Sequence, residues 1–422
     1  MSLMAIAAVL ACAFALIAAI PALVVLGEVI AATSAVDPLV ATPQRLEPDN
    51  SAAGKQRAGK LELGNLEFRN TKLAILMPAH NEEGGIALSV ACALAQIQDN
   101  DRLLVVADNC SDNTAAVANA AGAVVIERSD SSHRGKGYAL DFGIAHLRHD
   151  PPDVVLILDA DCVIEAGSVK VLVAECLRFN RPVQACYLMS FPADVNDFGS
   201  RLAQFAFLVK NRVRPLGLTQ LGMPCQLLGT GMAFPWHVID HAPLATGHIV
   251  EDMKLGVDLT TMGFAAQFID RARVNSTFPL SSDGTASQRK RWEHGHLQVL
   301  IGEVPRLLLS AIKRLDLPSL ALALDLAVPP LALLAMLQVL AVAATLACYL
   351  LTGVVLPLMT ALLGLAALLV AVSLAWRRFG RDTISLATLA KAPLYALRKL
   401  PVYFGFVAAR QTDWVRSRRD HE

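Results

Sequence analysis

The feature that most constrains this chain is a pair of long segments without any charged side chain. Residues 1–27 carry none, and neither do residues 326–376. A helix needs about 20 apolar residues to cross the hydrocarbon layer of a bilayer, so Leu3 to Leu26 predicts one crossing. The second segment is long enough for two crossings joined by a tight turn near Thr352-Gly353. Three membrane-spanning helices are therefore predicted, and the hydrophobic fraction of 54% agrees with that.

The basic residues predict how these helices are oriented. No Lys or Arg precedes the first apolar segment, whereas Arg45 and Lys55 follow it, and Arg377 follows the second segment. Basic residues accumulate on the cytosolic side of membranes, so the N-terminus is expected outside and the region between the two segments in the cytosol. The absence of a positively charged start favours a retained anchor over a signal peptide. We expect an integral protein of the bacterial inner membrane.

The remaining composition excludes several classes of protein. Lysine plus arginine and aspartate plus glutamate both total 37, so the charge balance gives no support for a nucleic-acid partner. The eight cysteines form no CxxC pair and show no Cys/His ligand spacing, which argues against a structural zinc site. They fit buried, reduced thiols better than a disulfide framework.

The region between the apolar segments alternates short apolar runs with helix-like stretches. Predicted helices cover 82–97, 115–121 and 136–147, and the predicted strands are 73–79, 101–108, 123–129 and 153–161. This alternation predicts a doubly wound α/β sheet, in which ligands bind at the carboxyl ends of the strands. Asp108, Asp159 and Asp161 all lie at such ends.

Asp159 and Asp161 are separated by one residue at the end of a buried run. Strand periodicity would direct both carboxylates to the same side. A hard divalent cation that is also held by phosphates needs only one or two such ligands, which suits Mg²⁺ or Mn²⁺ on a nucleotide diphosphate. The alternative is a chance Asp-x-Asp on a surface turn.

Asp108 and Lys136 are two further candidates for binding the same ligand. Asp108 could contact a nucleobase, or simply build the turn that Asn109 and Ser111 continue. Lys136, between Gly135 and Gly137, could place a cation on the diphosphate, or belong to an ordinary surface turn.

Two later motifs supply the remaining chemistry. In Glu251-Asp252, a carboxylate could deprotonate an acceptor hydroxyl; the alternative is an acidic pair favoured by a helix N-terminus. Gln288, Arg291 and Trp292 combine an amide, a cation for a diphosphate and a ring on which a sugar could stack.

In this order, the motifs resemble the membrane-bound family 2 glycosyltransferases, which include cellulose, chitin and hyaluronan synthases and ceramide glucosyltransferase. The resemblance covers about residues 72–310 and implies a GT-A fold with flanking transmembrane helices. PAHNEE at 78–83 looks like the family's opening strand end, and Gly229-Thr230-Gly231 looks like its acceptor-side segment. Ala107 and Val250 depart from residues common in the family.

The resemblance implies a role for each matching residue. Asp108 would contact uridine, Asp159 would bind the donor, and Asp161 would hold the metal. Lys136, which no family motif matches, is a donor-binding candidate from its position between two glycines. Asp252 would be the catalytic base. The family's QxxRW motif is matched by Gln288, Arg291 and Trp292, which would complete the donor site. His294 and His296, just beyond it, are expected to be packed or solvated residues more often than ligands.

The predicted function is therefore an inverting, metal-dependent sugar transfer from a UDP-sugar at the cytosolic face of a membrane, building a cell-surface polysaccharide. Three spans make a thin wall for a polymer channel, so transfer of one sugar to a lipid acceptor is the main alternative. A non-catalytic membrane scaffold is a third. Membrane lipids are expected partners in each case.

These inferences divide the chain into six parts. The predicted parts are a transmembrane anchor (1–32), a linker (33–70), a GT-A domain (71–300), an interfacial helix (301–318), two transmembrane helices (319–376) and a cytosolic interfacial helix with a basic tail (377–422).

Overall fold

The structure is a computed structural model that describes residues 3–35, 71–192, 195, 197–279 and 282–408. Most of the predicted linker, from residue 36 on, and the predicted basic tail beyond residue 408 lie outside the described residues.

Eight strands form one mixed sheet. In chain order they are β1 (Leu73–Ala79), β2 (Arg102–Asp108), β3 (Val124–Arg128), β4 (Val154–Ile157), β5 (Val163–Ile164), β6 (Val183–Ser190), β7 (Met232–Pro235) and β8 (Gln267–Thr277). Their order across the sheet is β3-β2-β1-β4-β7-β6-β8-β5. The first four strands are mutually parallel, and β7 pairs antiparallel with both β4 and β6. The carboxyl ends of β1, β2 and β4 therefore meet at one edge, as the α/β prediction requires.

The helices cover both faces of the sheet and continue beyond it. They are α1 (Leu3–Thr33), α2 (Ile86–Leu94), α3 (Thr114–Ala120), α4 (Lys136–Leu147), α5 (Ser168–Phe179), α6 (Phe198–Leu208), α7 (Arg214–Gln220), α8 (Trp236–Ile239), α9 (Glu251–Thr261), α10 (Ser282–Gly302), α11 (Val304–Arg314), α12 (Leu317–Leu326), α13 (Leu331–Thr352), α14 (Leu356–Ala375), α15 (Leu386–Leu389), α16 (Ala392–Arg398) and α17 (Leu400–Ala408). A π-helical turn, Val209–Val213, joins α6 to α7, and a second one, Trp376–Gly380, follows α14.

Strand β4 is shorter than predicted. It ends at Ile157, whereas the prediction continued it to Asp161. The backbone leaves the sheet because the amide of Asp159 donates to the Thr230 hydroxyl at 3.0 Å, and a turn closes from Cys162 N–H to the Asp159 carbonyl. The two carboxylates are thus brought together by a turn after the strand, and the explanation from strand periodicity was wrong.

Three helices are long and apolar enough to cross a membrane: α1, α13, and α14 with the π-helical turn that follows it. The turn between α13 and α14 lies at Gly353, as predicted, with a φ of +73° that favours glycine. Helix α1 extends from the predicted crossing segment, Leu3 to Leu26, to Thr33, within one residue of the predicted anchor's end at 32, and so includes Glu28. A charged residue is tolerated there because Arg214 neutralises it, with 2.6 Å between Nε and Oε2.

Small residues let these three helices approach closely. Gly364 of α14 faces Ala19 of α1 and the Gln338 side chain of α13, and a Cβ at Gly364 would lie only 2.7–2.9 Å from them. The Gln338 amide donates to the Ala18 carbonyl at 2.5 Å. Close packing of this kind holds helices together in lipid, where the hydrophobic effect does not drive helices to associate. One buried cluster continues from α1 and α14 into the sheet, so bundle and sheet share a core.

The segments predicted to lie in the interface are helical. Helix α11 falls within 301–316, and 389–409 contains the short helices α16 and α17, with α15 just before. The sequence also allowed 384–409 to form a further crossing instead of an interfacial helix. Breaks before Pro393 and Pro401 interrupt the helix there, which disfavours a continuous crossing. The location of these helices at a membrane interface stays a prediction.

Candidate active site

One cavity of about 1200 Å³ opens at the carboxyl ends of β1, β2 and β4. It brings together every residue that the sequence pattern proposed for the site. These are Asp108, Lys136, Asp159, Asp161, Asp252, Gln288, Arg291 and Trp292.

Lys136, the first residue of α4, lies at the centre of this group. Its ammonium is 2.5 Å from Asp159 Oδ1 and 3.9 Å from Glu251 Oε1, and it donates to the Gly229 carbonyl at 2.7 Å. Burial disfavours the charged form, but Asp159 and then Glu251 outweigh it and raise the pKa of Lys136 above its usual value. Lys136 is therefore a fixed cation inside the site rather than part of a surface turn.

The Asp159–Asp161 turn offers a fitting donor set for a divalent cation. Carboxylate oxygens of both residues and the Cys162 Sγ lie within 4.8 Å of one another. Burial raises the pKa of the Cys162 thiol well above its usual value, so this sulfur stays protonated and is no ligand for a hard cation. Two carboxylates that converge on a nucleotide diphosphate are what Mg²⁺ or Mn²⁺ requires.

Asp108 is held by a partner that the sequence analysis missed. Strand β3 pairs with β2 so that Arg128 stands beside Asp108, and the guanidinium donates to Asp108 Oδ1 at 2.6 Å. Asn109 adopts a positive φ of +52° and also donates to this oxygen at 3.0 Å. The carboxylate of Asp108 therefore organises its turn and also lines the cavity, and its contact with a nucleobase stays a prediction. A basic residue at the end of the neighbouring predicted strand was the signal that could have revealed Arg128.

Glu251 and Asp252 begin helix α9, where the helix dipole favours negative charge. Burial is the main reason that the pKa of Glu251 rises to about 7; Lys136 opposes this rise and Asp252 adds to it. Gly229 lies directly against Asp252. Its φ is +91°, and a Cβ there would be 3.3 Å from Asp252 Oδ2. A glycine at this position therefore leaves room for Asp252 to reach an acceptor.

Helix α10 carries Gln288, Arg291 and Trp292, whose spacing of three and four places them on one face. The amide oxygen of Gln288 is buried without a hydrogen-bond partner among the described residues. The Trp292 ring packs at 5.9 Å from the ring of Phe207, which fixes one of its sides.

The residues after this motif tie α10 to its neighbours. Glu293 forms an ion pair with Lys399, His294 Nε2 lies 2.9 Å from the Val402 carbonyl and His296 Nε2 lies 3.1 Å from the Leu326 carbonyl. The two histidines are buried packing residues, as the sequence analysis expected.

Beyond the polar end, the cavity continues between the apolar helices. Its walls there come from α13, α14 and α15–α17, and they are mainly Leu, Ala, Val and Pro side chains. Representative lining residues are Leu331, Ala335, Val339, Leu368, Val372 and Leu397.

Comparison with known proteins adds a family to this geometry. The sequence profile described as "Glycosyltransferase like family 2" matches residues 71–295. The chain is 34% identical over 239 residues to the probable glycosyltransferase YdaM of Bacillus subtilis, over 54% of this chain and 56% of that protein. It is 36% identical over 95 residues to the low-salt glycan biosynthesis hexosyltransferase Agl6 of Haloferax volcanii, over 22% of each chain. These matches span about half and about a fifth of the curated relatives' lengths.

Solved structures are similar at a greater distance. The mannosyltransferase PcManGT from Pyrobaculum calidifontis, in complex with GDP-Man and Mn²⁺, aligns with a TM-score of 0.47 at 14% identity, over 85% of this chain and 97% of that one. A glucosyl-3-phosphoglycerate synthase from Mycobacterium tuberculosis, in complex with Mn²⁺, UDP-Glc and phosphoglyceric acid, aligns with a TM-score of 0.35 at 22% identity, over 52% and 73% of the two chains.

Proposed function

Because this chain belongs to glycosyltransferase-like family 2, we propose that it is an active, inverting sugar transferase that uses a UDP-sugar and a divalent cation at a membrane surface. The observation that carries the proposal is the single cavity that unites the Asp159–Asp161 turn, Lys136 and Asp252. A protein that kept the fold only as a scaffold would have no need to hold a half-buried lysine among three carboxylates.

The donor would occupy the polar end of the cavity. Asp108 would accept a hydrogen bond from the base with the carboxylate oxygen that Arg128 leaves open. Lys136 and Arg291 would offset the charge of the diphosphate. Trp292, supported on one side by Phe207, would offer its ring to the sugar.

Asp252 would act on the acceptor. It takes the proton of an acceptor hydroxyl while the oxygen forms a bond to the anomeric carbon on the face opposite the leaving group. The bond from that carbon to the diphosphate breaks, and UDP leaves with the electron pair. When bound at Asp161 and Asp159, Mg²⁺ or Mn²⁺ would supply positive charge to the departing phosphate.

The walls of the cavity favour a lipid acceptor over a growing polysaccharide. A sugar polymer needs hydrogen-bond partners or aromatic platforms along its path. The arm of the cavity between α13, α14 and α15–α17 offers mainly aliphatic side chains, which suit an alkyl chain. Polymer synthesis, the first prediction from the sequence, is the second candidate.

The experiment is a UDP-release screen with the full chain in nanodiscs, using UDP-glucose, UDP-N-acetylglucosamine, UDP-galactose, UDP-glucuronate and GDP-mannose. We expect release with one UDP-sugar and Mg²⁺ or Mn²⁺, and loss of release with a chelator. A radiolabelled product that extracts into organic solvent as a lipid with one sugar would support the lipid acceptor; an insoluble polymer would contradict it.

The general-base assignment is tested in the same assay. Asp252→Asn should lower transfer by about 10²–10⁴-fold, because the acceptor proton loses its base, while binding of UDP with Mn²⁺ is retained. The control is Asp240→Asn, at a partly exposed carboxylate that does not line the cavity. Unchanged UDP release in Asp252→Asn would contradict a catalytic role and favour the scaffold alternative.

A further inference from the structure

Lys210 lines the cavity but has no part in the chemistry proposed above. It lies in the π-helical turn Val209–Val213 between α6 and α7, and its side chain is half-buried. The Lys210 ammonium makes no hydrogen bond or salt bridge with any residue that the structure describes. Single π-helical turns inside helices occur often at functional sites, where they turn one side chain toward a ligand.

Three of the other cations that line the cavity are neutralised by carboxylates that the structure describes. Lys136 pairs with Asp159, and Lys399 pairs with Glu293. Arg214 pairs with both Glu28 and Asp325. Lys210 differs from them because its charge faces the cavity without a carboxylate in contact.

The partly buried position of Lys210 makes its positive charge energetically unfavourable unless an anion compensates it. Burial lowers the pKa of the Lys210 ammonium, and the charge of Asp252 is the first of the interactions that oppose this. Lys210 and Asp252, the proposed catalytic base, line the same cavity. An anion that entered the cavity would restore the interaction energy that the ammonium loses on leaving water.

The position of Lys210 indicates which anion. The donor diphosphate already has Lys136 and Arg291 at the strand ends, whereas Lys210 belongs to the α6–α7 junction, which also borders the apolar arm. Several carboxylates line the same cavity and would repel an acidic acceptor unless a cation balanced them. An acceptor with a phosphate at its head and a hydrocarbon chain behind it would satisfy both features.

We propose that Lys210 binds the phosphate of a lipid acceptor whose hydrocarbon chain lies in the cavity arm between α13 and α14. This inference rests on the proposed function and narrows its acceptor to an anionic amphiphile. Lys210 thereby selects phosphate-bearing lipids over neutral lipids and holds the reacting end beside Asp252.

The test compares two spin-labelled probes with the same alkyl chain, an alkyl phosphate and the corresponding alcohol, added to the full chain in phosphatidylcholine nanodiscs. The immobilised fraction in the electron spin resonance spectrum gives the relative association constants. We expect a preference of about tenfold for the phosphate in the natural protein, since one charge-assisted contact distinguishes the probes. Lys210→Gln should abolish the preference, and Lys210→Arg should keep most of it.

A matched control is Lys254→Gln, which removes a lysine of α9 that pairs with Asp258 and does not line the cavity. It should leave the preference unchanged. Equal binding of the two probes by the natural protein, or a preference that survives Lys210→Gln, would overturn the proposal. Additional arms with a phosphoglycerolipid and an isoprenyl phosphate distinguish the two sources of lipid phosphate.

Failure of this inference can be told apart from failure of the proposed function. UDP binding with Mn²⁺ and UDP release are measured on the same preparations. If both persist while the probes bind equally, the sugar transfer stands and the assignment of Lys210 is wrong. If UDP neither binds nor is released, the proposed function is wrong, whatever the lipid preference.

Discussion

At the scale of single residues, the site is organised by charges that neutralise one another. Lys136 occupies the space between Asp159, Glu251 and the Gly229 carbonyl, so the carboxylates are balanced before a donor arrives. If Asp159 bound a divalent cation instead of Lys136, the Lys136 ammonium would be free to bind a diphosphate. A site arranged in this way can bind a charged donor with little cost for exposing unpaired charge.

Gly229 is the residue whose replacement should most cleanly affect catalysis. In Gly229→Ala the alanine would be held at a positive φ, which is unfavourable for any residue with a Cβ. Its methyl group would also press on Asp252 Oδ2. We expect transfer to fall by about tenfold or more, since a displacement of the base by a fraction of an ångström suffices. The measurement is UDP release against acceptor concentration.

Gly263→Ala is the matched control for this variant. Gly263 has nearly the same φ, +90°, but a Cβ there would meet no atom within 4 Å. Both variants should lose about 1–2 kcal/mol of stability from the backbone conformation, and only Gly229→Ala should lose activity. Equal activity in the two variants would contradict the positioning of Asp252 by Gly229.

Residue patterns predicted the site better than they predicted its contacts. Carboxylates at apolar strand ends are visible in a sequence, and the cavity unites all of those that were proposed. The partner of Asp108 was missed because Arg128 comes from β3, and strand register decides that contact. The Glu28–Arg214 pair was missed for a similar reason: the two residues lie far apart in the chain and meet only when α1 packs on α7.

At the scale of elements, a buried network of charges joins three helices. Arg214, which begins α7, binds Glu28 of α1 at 2.6 Å and Asp325 of α12 at 2.5 Å, and Gln226 also donates to Asp325 at 2.8 Å. All four side chains are almost completely buried. The network therefore fixes helix α1 to the wall of the cavity, which Arg214 also lines.

Removing Arg214, the central cation of this network, should lower the free energy of unfolding. Arg214→Met leaves Glu28 and Asp325 as uncompensated buried carboxylates, with an expected loss of about 3–5 kcal/mol. Thermal unfolding in detergent measures the effect. The control is Arg148→Met, which breaks an exposed pair with Asp240 and should cost about 0–1 kcal/mol. A loss as small as that in Arg214→Met would contradict the structural role of the network.

Element types were predictable where the apolar period is strong. The prediction for α4 matches its observed ends, Lys136 and Leu147, and β1 matches Leu73–Ala79. Strand β4 was overextended because the apolar run continues through Leu158 after the backbone has left the sheet. Helix α1 ends at Thr33, beside the end of the predicted anchor (1–32), and the Glu28 charge that it contains is carried by a tertiary ion pair.

At the scale of the whole molecule, the predicted α/β fold with flanking apolar helices is confirmed, and the family match covers residues 71–295. The continuity of the cavity from the strand ends to the apolar helices could not be predicted. It depends on how α13, α14 and α15–α17 pack around α10, and local sequence patterns do not predict that packing.

The last prediction concerns the side of the membrane on which the cavity opens. The proposed donor is a cytosolic nucleotide-sugar, and the basic residues after α1 and α14 predict that the catalytic domain lies in the cytosol. The turn at Gly353 should then lie outside. In a bacterial host, alkaline phosphatase inserted after Gly353 should be active, and a green fluorescent protein fused after Glu422 should fluoresce. The reciprocal insertions, which exchange the two reporters, are the control and should both be silent. The reverse pattern would separate the cavity from its donor, and would contradict the proposed function even if the purified chain released UDP.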